Sequence, residues 1–253
     1  MEGENMIGKE ELREYARLRG LNLGQAEKDY FQNIILFILY QHYGRGLVFK
    51  GGTAISKCYN SKRFSEDLDF TSLEKFDSEI VELGLKRFGI WFEKEEKESN
   101  LGIRIIFRIR GPLYSGLKYT LCRLRLDISY REKVLLPPNI KTIGRFMEEI
   151  PEFDVWVMRE EEILAEKVRA ILKRAKAKDI YDLWFLLRKG VSFDLKLVNE
   201  KLKYYKMKWS REKFFKAMNI NEKSWEAELK PLVKNVPEFK DVKKFIREKL
   251  GKA

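Results

Sequence analysis

Residues 47–70 read LVFKGGTAISKCYNSKRFSEDLDF, and this stretch decides the fold. Leu47, Val48, Phe49 and Lys50 form a short apolar run that predicts a strand. Gly51, Gly52 and Thr53 follow without a spacer, and a helix then runs to about Tyr59. Glycines at a strand-to-helix turn let backbone approach a ligand closely, and a helix start offers free N–H groups to an anion. Many such turns are only turns. Residues 51–58 also miss the phosphate-loop pattern, with Ser56 at its second glycine and Cys58 at its metal-binding hydroxyl, so that reading is rejected.

The end of the same stretch carries the stronger signal. Residues 68–71 predict a second strand, which puts Asp67 and Asp69 on one face and Leu68 and Phe70 on the other. Neighbouring like charges repel on a strand, and a divalent cation between them removes that cost. The competing reading is a solvated acidic strand end with Arg63 as basic partner. Asp127, in RLRLDIS (123–129), lies on another predicted strand between Leu126 and Ile128. With Asp67 and Asp69 it makes three carboxylates, enough for two metal ions, and it is the candidate general base for an attacking hydroxyl. The expectation is that these three groups converge beside the glycine turn. Its competitor is a surface Asp127 paired with Arg125 or Arg131.

Outward from these motifs the chain changes character once. Residues 9–18 and 24–43 predict helices, the second apolar on most of its surface and hence buried. A further helix is expected at 77–88, then strands at 90–97, 102–110 and 120–130. GIRIIFRIR (102–110) and LCRLRLDIS (121–129) alternate apolar with basic residues, as in a sheet with one wet face. Pro137 and Pro138 mark a loop, and 154–158 a last strand. From Arg159 the pattern is helical: 159–174, 177–188, 195–205, 211–219, 222–229 and 238–250. The expected organisation is an α/β lobe over 1–158 and an all-helical lobe over 159–253.

Within the helical part, Leu164, Val168, Ile171 and Ala175 mark a buried stripe with Lys167 at its margin. Such a lysine either snorkels or reaches across a cleft to phosphates. Asp179 and Asp182 near the next helix start either favour the macrodipole and tie helices together through Arg174 or Lys178, or belong to the site. Residues 196–213 interleave Lys196, Lys201, Lys203, Lys206, Lys208, Arg211 and Lys213 with Tyr204, Tyr205 and Trp209, which suits an RNA backbone and unstacked bases or an ordinary solvated face.

The net charge of +12 raises polyanions among the expected partners. Two cysteines and one histidine exclude a disulfide framework, a zinc cluster and a His-based triad. The longest apolar run, IILFILY (34–40), is too short to span a bilayer, and the charged first residues lack a signal core. A cytoplasmic protein without membrane partners is expected. The 36% charged residues and only three glutamines lean towards a thermophile.

FKGGTAISKCY (49–59), RFSEDLDF (63–70), RLRLDIS (123–129) and EKVRAILKRAKAKDIYDLW (166–184) occur in this order. Together they resemble the AbiEii/AbiGii-type nucleotidyltransferase toxins of toxin–antitoxin and abortive-infection systems. The resemblance implies an α/β (α+β) nucleotidyltransferase-like fold, a mixed sheet flanked by helices with an all-helical C-terminal lobe closing over the nucleotide. It places the glycine motif on Gly52 and Thr53, with Thr in place of the usual Ser, and the metal-binding acids on Asp67, Asp69 and Asp127. Its nucleotide-binding lysine falls on Lys167 and its Asp-x-x-Asp motif on Asp179 and Asp182, while Leu172 stands where a small residue is common. Lys50, Gly51, Gly52, Thr53, Lys167 and Asp182 are accordingly the candidate nucleotide-binding set. The implied activity is transfer of NMP from an NTP to an RNA, such as the tRNA 3′ end, using two Mg2+ ions (or Mn2+) and opposed by a cognate antitoxin. The alternatives are nucleotidylation of a protein or small-molecule hydroxyl, or a nucleotide- or RNA-binding module without turnover.

Overall fold

The computed structural model describes residues 6–144 and 150–250. The chain divides into two compact units, Met1–Thr53 with Glu66–Arg131 and Ile140–Val157, and Ala54–Ser65 with Glu132–Asn139 and Met158–Ala253.

The first unit is built on a mixed seven-stranded sheet. Its strands are β1 (Leu47–Lys50), β2 (Leu68–Ser72), β3 (Phe92–Ser99), β4 (Gly102–Ile109), β5 (Cys122–Ser129), β6 (Asn139–Ile143) and β7 (Phe153–Val157). Their order across the sheet is β3-β4-β5-β2-β1-β7-β6. β3, β4 and β5 run antiparallel, β2 is parallel to β5 and antiparallel to β1, and β1 is parallel to β7. The alternation in GIRIIFRIR becomes register here: Ile103, Ile105, Phe107 and Ile109 are buried, as are Leu124, Leu126 and Ile128 on β5 and Leu68 and Phe70 on β2. The odd strand out is β6. Residues 139–143 follow the double proline and expose Ile140, so they lack the alternation that identifies the other strands, and the sequence predicts no strand there.

Helix α1 (Lys9–Arg19) precedes α2 (Leu23–Tyr40), which is the core helix expected from its all-round apolar surface. Asn22 and Gln25 cap its start reciprocally, and it packs on β5, β7 and α4 (Glu79–Arg87). It ends at Tyr40, whose hydroxyl donates to the carbonyls of Leu47 and Trp156 and so joins the helix end to β1 and β7. α3 (Gly51–Tyr59) begins directly after β1.

The second unit is helical: α5 (Glu160–Arg174), α6 (Ala177–Arg188), α7 (Leu195–Lys203), α8 (Arg211–Asn219), α9 (Trp225–Leu229) and α10 (Phe239–Lys249). α5 packs against α6, α7 and α8, and α6 against α9 and α10. Residues 54–65 are sewn into it by long-range bonds. The Tyr59 hydroxyl donates to the Met158 carbonyl, and the Phe64 amide to the Leu232 carbonyl, both at 2.8 Å. None of the described helices is long and apolar enough to cross a membrane.

Candidate active site

The carboxylates lie on one row of the sheet. Asp69 and Asp127 are register partners on the parallel pair β2–β5. The row extends to Lys50 on β1, Arg104 on β4 and Lys97 on β3, so two acids at its centre are flanked by cations on both sides. Asp67 stands one residue before β2, two before Asp69, and belongs to the same face. The Arg63 that sequence offered as partner for these acids is elsewhere. Arg125 takes that place: its guanidinium bridges Asp67 and Asp127, with Nε 3.0 Å from Asp127 Oδ2. Arg104 Nε lies 2.7 Å from the other Asp127 oxygen. The side chains of Asp67 and Asp127 remain 19% and 26% exposed.

These three acids fit hard cations by chemistry, being partly exposed oxygen donors on one face. They do not form a ready cage. Among the described residues no three acid, His or Cys side chains are gathered as a metal-holding group. Asp69 and Asp127 share register and Asp67 lies on their face, but the structure also shows the competing pairing of Asp127 with Arg125, and Arg125 and Arg104 occupy oxygens that a cation would need. The Arg125 and Arg104 side chains are 29% and 55% exposed.

The glycine turn abuts this row. Gly51 has φ +78°, and a Cβ built on it would collide with Asp69 Oδ2. The missing side chain is thus what lets the Asp69 carboxylate lie against the start of α3. Thr53 is 1% exposed and its hydroxyl donates to the Asp67 backbone carbonyl. The Thr53 hydroxyl thereby ties Asp67 to the start of α3. Gly52 and Lys50 are buried as well.

In the helical unit, Lys167, Asp179 and Asp182 come together with an unexpected member, Arg63. Lys167 Nζ lies 3.1 Å from Asp179 and 2.7 Å from Asp182. Arg63 grips Asp182 with two parallel bonds, Nε–Oδ1 at 2.7 Å and Nη2–Oδ2 at 2.9 Å. Arg174 does the same to Asp179, at 2.8 and 3.0 Å. Asp179 and Asp182 are 0% exposed, so neither carboxylate presents surface to a ligand. Burial pushes both carboxyls up, but Lys167 with Arg174 on Asp179, and Arg63 with Lys167 on Asp182, outweigh it and hold them below the usual range. Lys167 is 7% exposed; burial works against its charge, and the two acids raise it above an ordinary lysine. The structure thus makes Asp182 a holder of Lys167.

The basic stretch 196–213 separates into different roles. Lys201 is no surface base: it is 0% exposed and paired with Glu162 at 2.6 Å and Glu166 at 3.0 Å. Tyr205 bonds Glu132 and lies under Arg169 and Lys173, and Trp209 packs on Phe193 and Phe214. These aromatics hold the helices together.

Sequence reasoning missed Arg104; it named Arg125 only as the competing partner of Asp127, which is the pairing observed, and offered Arg63 to the strand acids when it bonds Asp182. For Arg104 a signal existed, since the alternation of residues 102–110 puts it on the wet face.

A mixed sheet with paired aspartates on its middle strands, beside a glycine turn that opens a helix, is the layout of a nucleotidyltransferase. Residues 35–248 match the family described as "Nucleotidyl transferase AbiEii toxin, Type IV TA system", and the chain belongs to that family. In fold it is similar to MenT4, a nucleotidyltransferase toxin from Mycobacterium tuberculosis H37Rv, with a TM-score of 0.67 and 22% identity over 96% of this chain and 88% of that one. An H. pylori protein described as a candidate nucleotidyltransferase is similar at a TM-score of 0.62 and 22% identity, over 92% of this chain and 98% of that one. The uncharacterized protein aq_aa25 of Aquifex aeolicus (strain VF5) is 30% identical over 156 residues, 60% of this chain. The match spans 63% of that relative's length.

Proposed function

We propose that this chain transfers a nucleoside monophosphate from an NTP to a hydroxyl of an RNA, the tRNA 3′ end being the leading acceptor, and that it acts as the toxin of a toxin–antitoxin pair in the cytoplasm. The observation that carries the reading is the Asp69–Asp127 pair, register partners set against Gly51 with Asp67 on the same face. Two facing carboxylates on a sheet repel, a cost that Arg104 and Arg125 offset here and that a bound divalent cation would offset in their place.

Asp67, Asp69 and Asp127 would hold Mg2+ or Mn2+, which when bound neutralises phosphate charge and lowers the barrier to displacement. The acceptor oxygen attacks the α-phosphorus while the bond to the bridging oxygen breaks, and pyrophosphate leaves. Asp127 takes the proton of the acceptor hydroxyl. Arg104 and Arg125 turn from the carboxylates to phosphate oxygens, and Lys50 adds positive charge on the row. Lys167, kept charged by Asp179 and Asp182, supplies a fixed cation for the nucleotide phosphates. A cognate antitoxin restrains the activity.

The test is incubation with labelled NTPs, Mg2+ and total tRNA. Label in RNA that disappears in Asp67→Ala supports the reading. Label confined to protein, or transfer that persists in the variant, overturns it.

A further inference from the structure

The face that carries Asp127 does not end at the carboxylates. Along β4 the residues pointing to that side are 104, 106 and 108, and Arg110 continues the alternation just past the strand. On β5 they are Arg123, Arg125 and Asp127, with Arg108 directly opposite Arg123 and Arg104 opposite Asp127. Same-side residues on a strand are about 7 Å apart, so Arg104 to Arg110 forms a ridge of about 20 Å leading away from the acids. Like charges placed opposite each other, as Arg108 and Arg123 are, destabilise a sheet pair. The acids of this face on the edge strand β3 are Glu93 and Glu95, with Lys97 beside them; Glu95 bonds Arg108 at 2.7 Å. Away from the three aspartates the face carries Arg108, Arg110 and Arg123 against Glu93 and Glu95, and Arg104, Arg110 and Arg123 are exposed.

The far end of the ridge is aromatic. The Arg110 guanidinium stacks over Trp91 at 3.8 Å and lies 5.3 Å from the ring of Tyr114. Trp91 is 40% exposed, and Tyr119, which shares the β4–β5 connection with Tyr114, is 82% exposed. The opposite face of these strands is the apolar core, so neither the arginines nor Trp91 serve packing there.

We infer that the β4–β5 arginine ridge, from Arg104 to the Trp91–Arg110 stack, is the track on which single-stranded RNA lies with its reacting hydroxyl at Asp127. The inference rests on the nucleotidyl-transfer reading for the direction of the strand, but the binding it describes requires no transfer. A row of guanidiniums follows a phosphate backbone, and a ring stacked with a guanidinium at its end gives an unstacked base a flat surface. The aromatic end favours nucleic acid over an acidic protein or a lipid surface, which offer nothing to stack.

The experiment measures anisotropy of a fluorescent single-stranded RNA 20-mer, without NTP, across a salt series. Arg108→Glu/Arg123→Glu is expected to weaken binding at least about tenfold and to reduce the slope of log affinity against log salt, by about 0.7 for each phosphate no longer neutralised. Trp91→Ala is expected to weaken it about tenfold at unchanged slope. Arg108→Gln/Arg123→Gln guards against a folding defect from charge reversal, and thermal melts check each variant. Lys196→Glu/Lys208→Glu, on the helical unit, should bind like the parent. Wild-type binding unaffected by the ridge variants, binding abolished only in the helical-unit variant, or binding to anionic vesicles with none to RNA, each overturns the inference. Asp67→Ala separates the two claims: if it abolishes transfer yet binds RNA on the ridge, the ridge stands independently. Transfer to a non-RNA acceptor by a chain that does not bind RNA removes the ridge and leaves the chemistry.

Discussion

Asp69 and Asp127, 58 residues apart in sequence, stand side by side as register partners of the parallel pair β2–β5. Parallel pairing requires a long crossover, and here antiparallel β3 and β4 lie in the intervening chain. The pairing puts Asp127 level with Asp69 and Arg125 level with Asp67, which makes Arg125 the cation that bridges two acids of the site. On the proposed mechanism, replacing Asp127 by Asn removes the proton acceptor and a metal oxygen while keeping the shape. The expected outcome is a transfer rate at least about a hundredfold lower, with a thermal midpoint close to that of the parent. An Asp127→Asn enzyme of near-parental rate would leave Asp127 no part in the chemistry.

Gly51 gives the site its most demanding backbone position. At φ +78°, with Asp69 Oδ2 standing where a Cβ would go, Gly51→Ala is strained twice, by the left-handed backbone and by the displaced carboxylate. The backbone part alone costs about 1–2 kcal/mol. The substitution is expected to lower the thermal midpoint and to weaken Mn2+ binding followed by electron paramagnetic resonance. Unchanged Mn2+ affinity would separate the glycine turn from the carboxylates.

Arg63 and Asp182 form a buried, two-bonded ion pair, 2% and 1% exposed at the side chains. Truncation to Arg63→Ala strands Asp182 with Lys167 as remaining partner. Breaking a buried pair from one side costs about 3–5 kcal/mol, and denaturant midpoints should show it. Arg63→Lys retains the charge but not the fork, so partial recovery of stability is expected. Because Asp182 holds Lys167, the lysine variant should raise KM for NTP more than it lowers kcat; a purely structural role would leave KM unchanged in the folded fraction.

The same network sets a pH window. Asp179 and Asp182 have folded carboxyls held below the usual value, so their stabilisation is complete above about pH 4, the unfolded range. It is lost as pH falls below that towards the depressed values. Lys167 is raised, so its contribution is complete below about pH 10.4 and is lost as pH climbs through the folded value. Circular dichroism is expected to give a flat plateau through neutral pH and cooperative loss of helix below about pH 4. Asp179→Asn should flatten the acid limb; an unaltered limb would place the acid sensitivity elsewhere.

Much of this arrangement is legible in the sequence because alternation and turn chemistry are local. GIRIIFRIR and the LRLDIS segment announce both their strands and the side on which Arg104 and Asp127 stand. The family motifs mark Lys167, Asp179 and Asp182 without revealing their geometry. What is illegible depends on distant partners. Arg63 has acids four and six residues ahead, and sequence proximity favours them, yet it bonds Asp182, 119 residues on. The crossing of residues 54–65 into the helical unit rests on bonds such as Phe64 to Leu232, which leave no periodic trace. Lys201 is an intermediate case. It lies four residues after Leu197, three after Val198 and next to Leu202, all buried, so helical spacing marks it as interior. Its charge and its basic neighbours obscure that.

Lys201 also gives the sharpest test of the helical core. Its ammonium is 0% exposed, 2.6 Å from Glu162 and 3.0 Å from Glu166, and it donates to the Lys133 carbonyl at 3.0 Å. Glu162 is 0% exposed and has further support, accepting the Leu135 and Leu136 amides at 2.8 and 2.9 Å. Lys201→Met keeps most of the volume but leaves two buried carboxylates without their shared cation, a loss of about 3–5 kcal/mol. Since the cost lies in the stranded charges and not in the missing packing, removing one of them should restore part of the stability. Lys201→Met/Glu166→Gln is therefore expected to melt above Lys201→Met alone, the reverse of additivity. A double variant less stable than the single one would show that Glu166 is held by something other than this lysine.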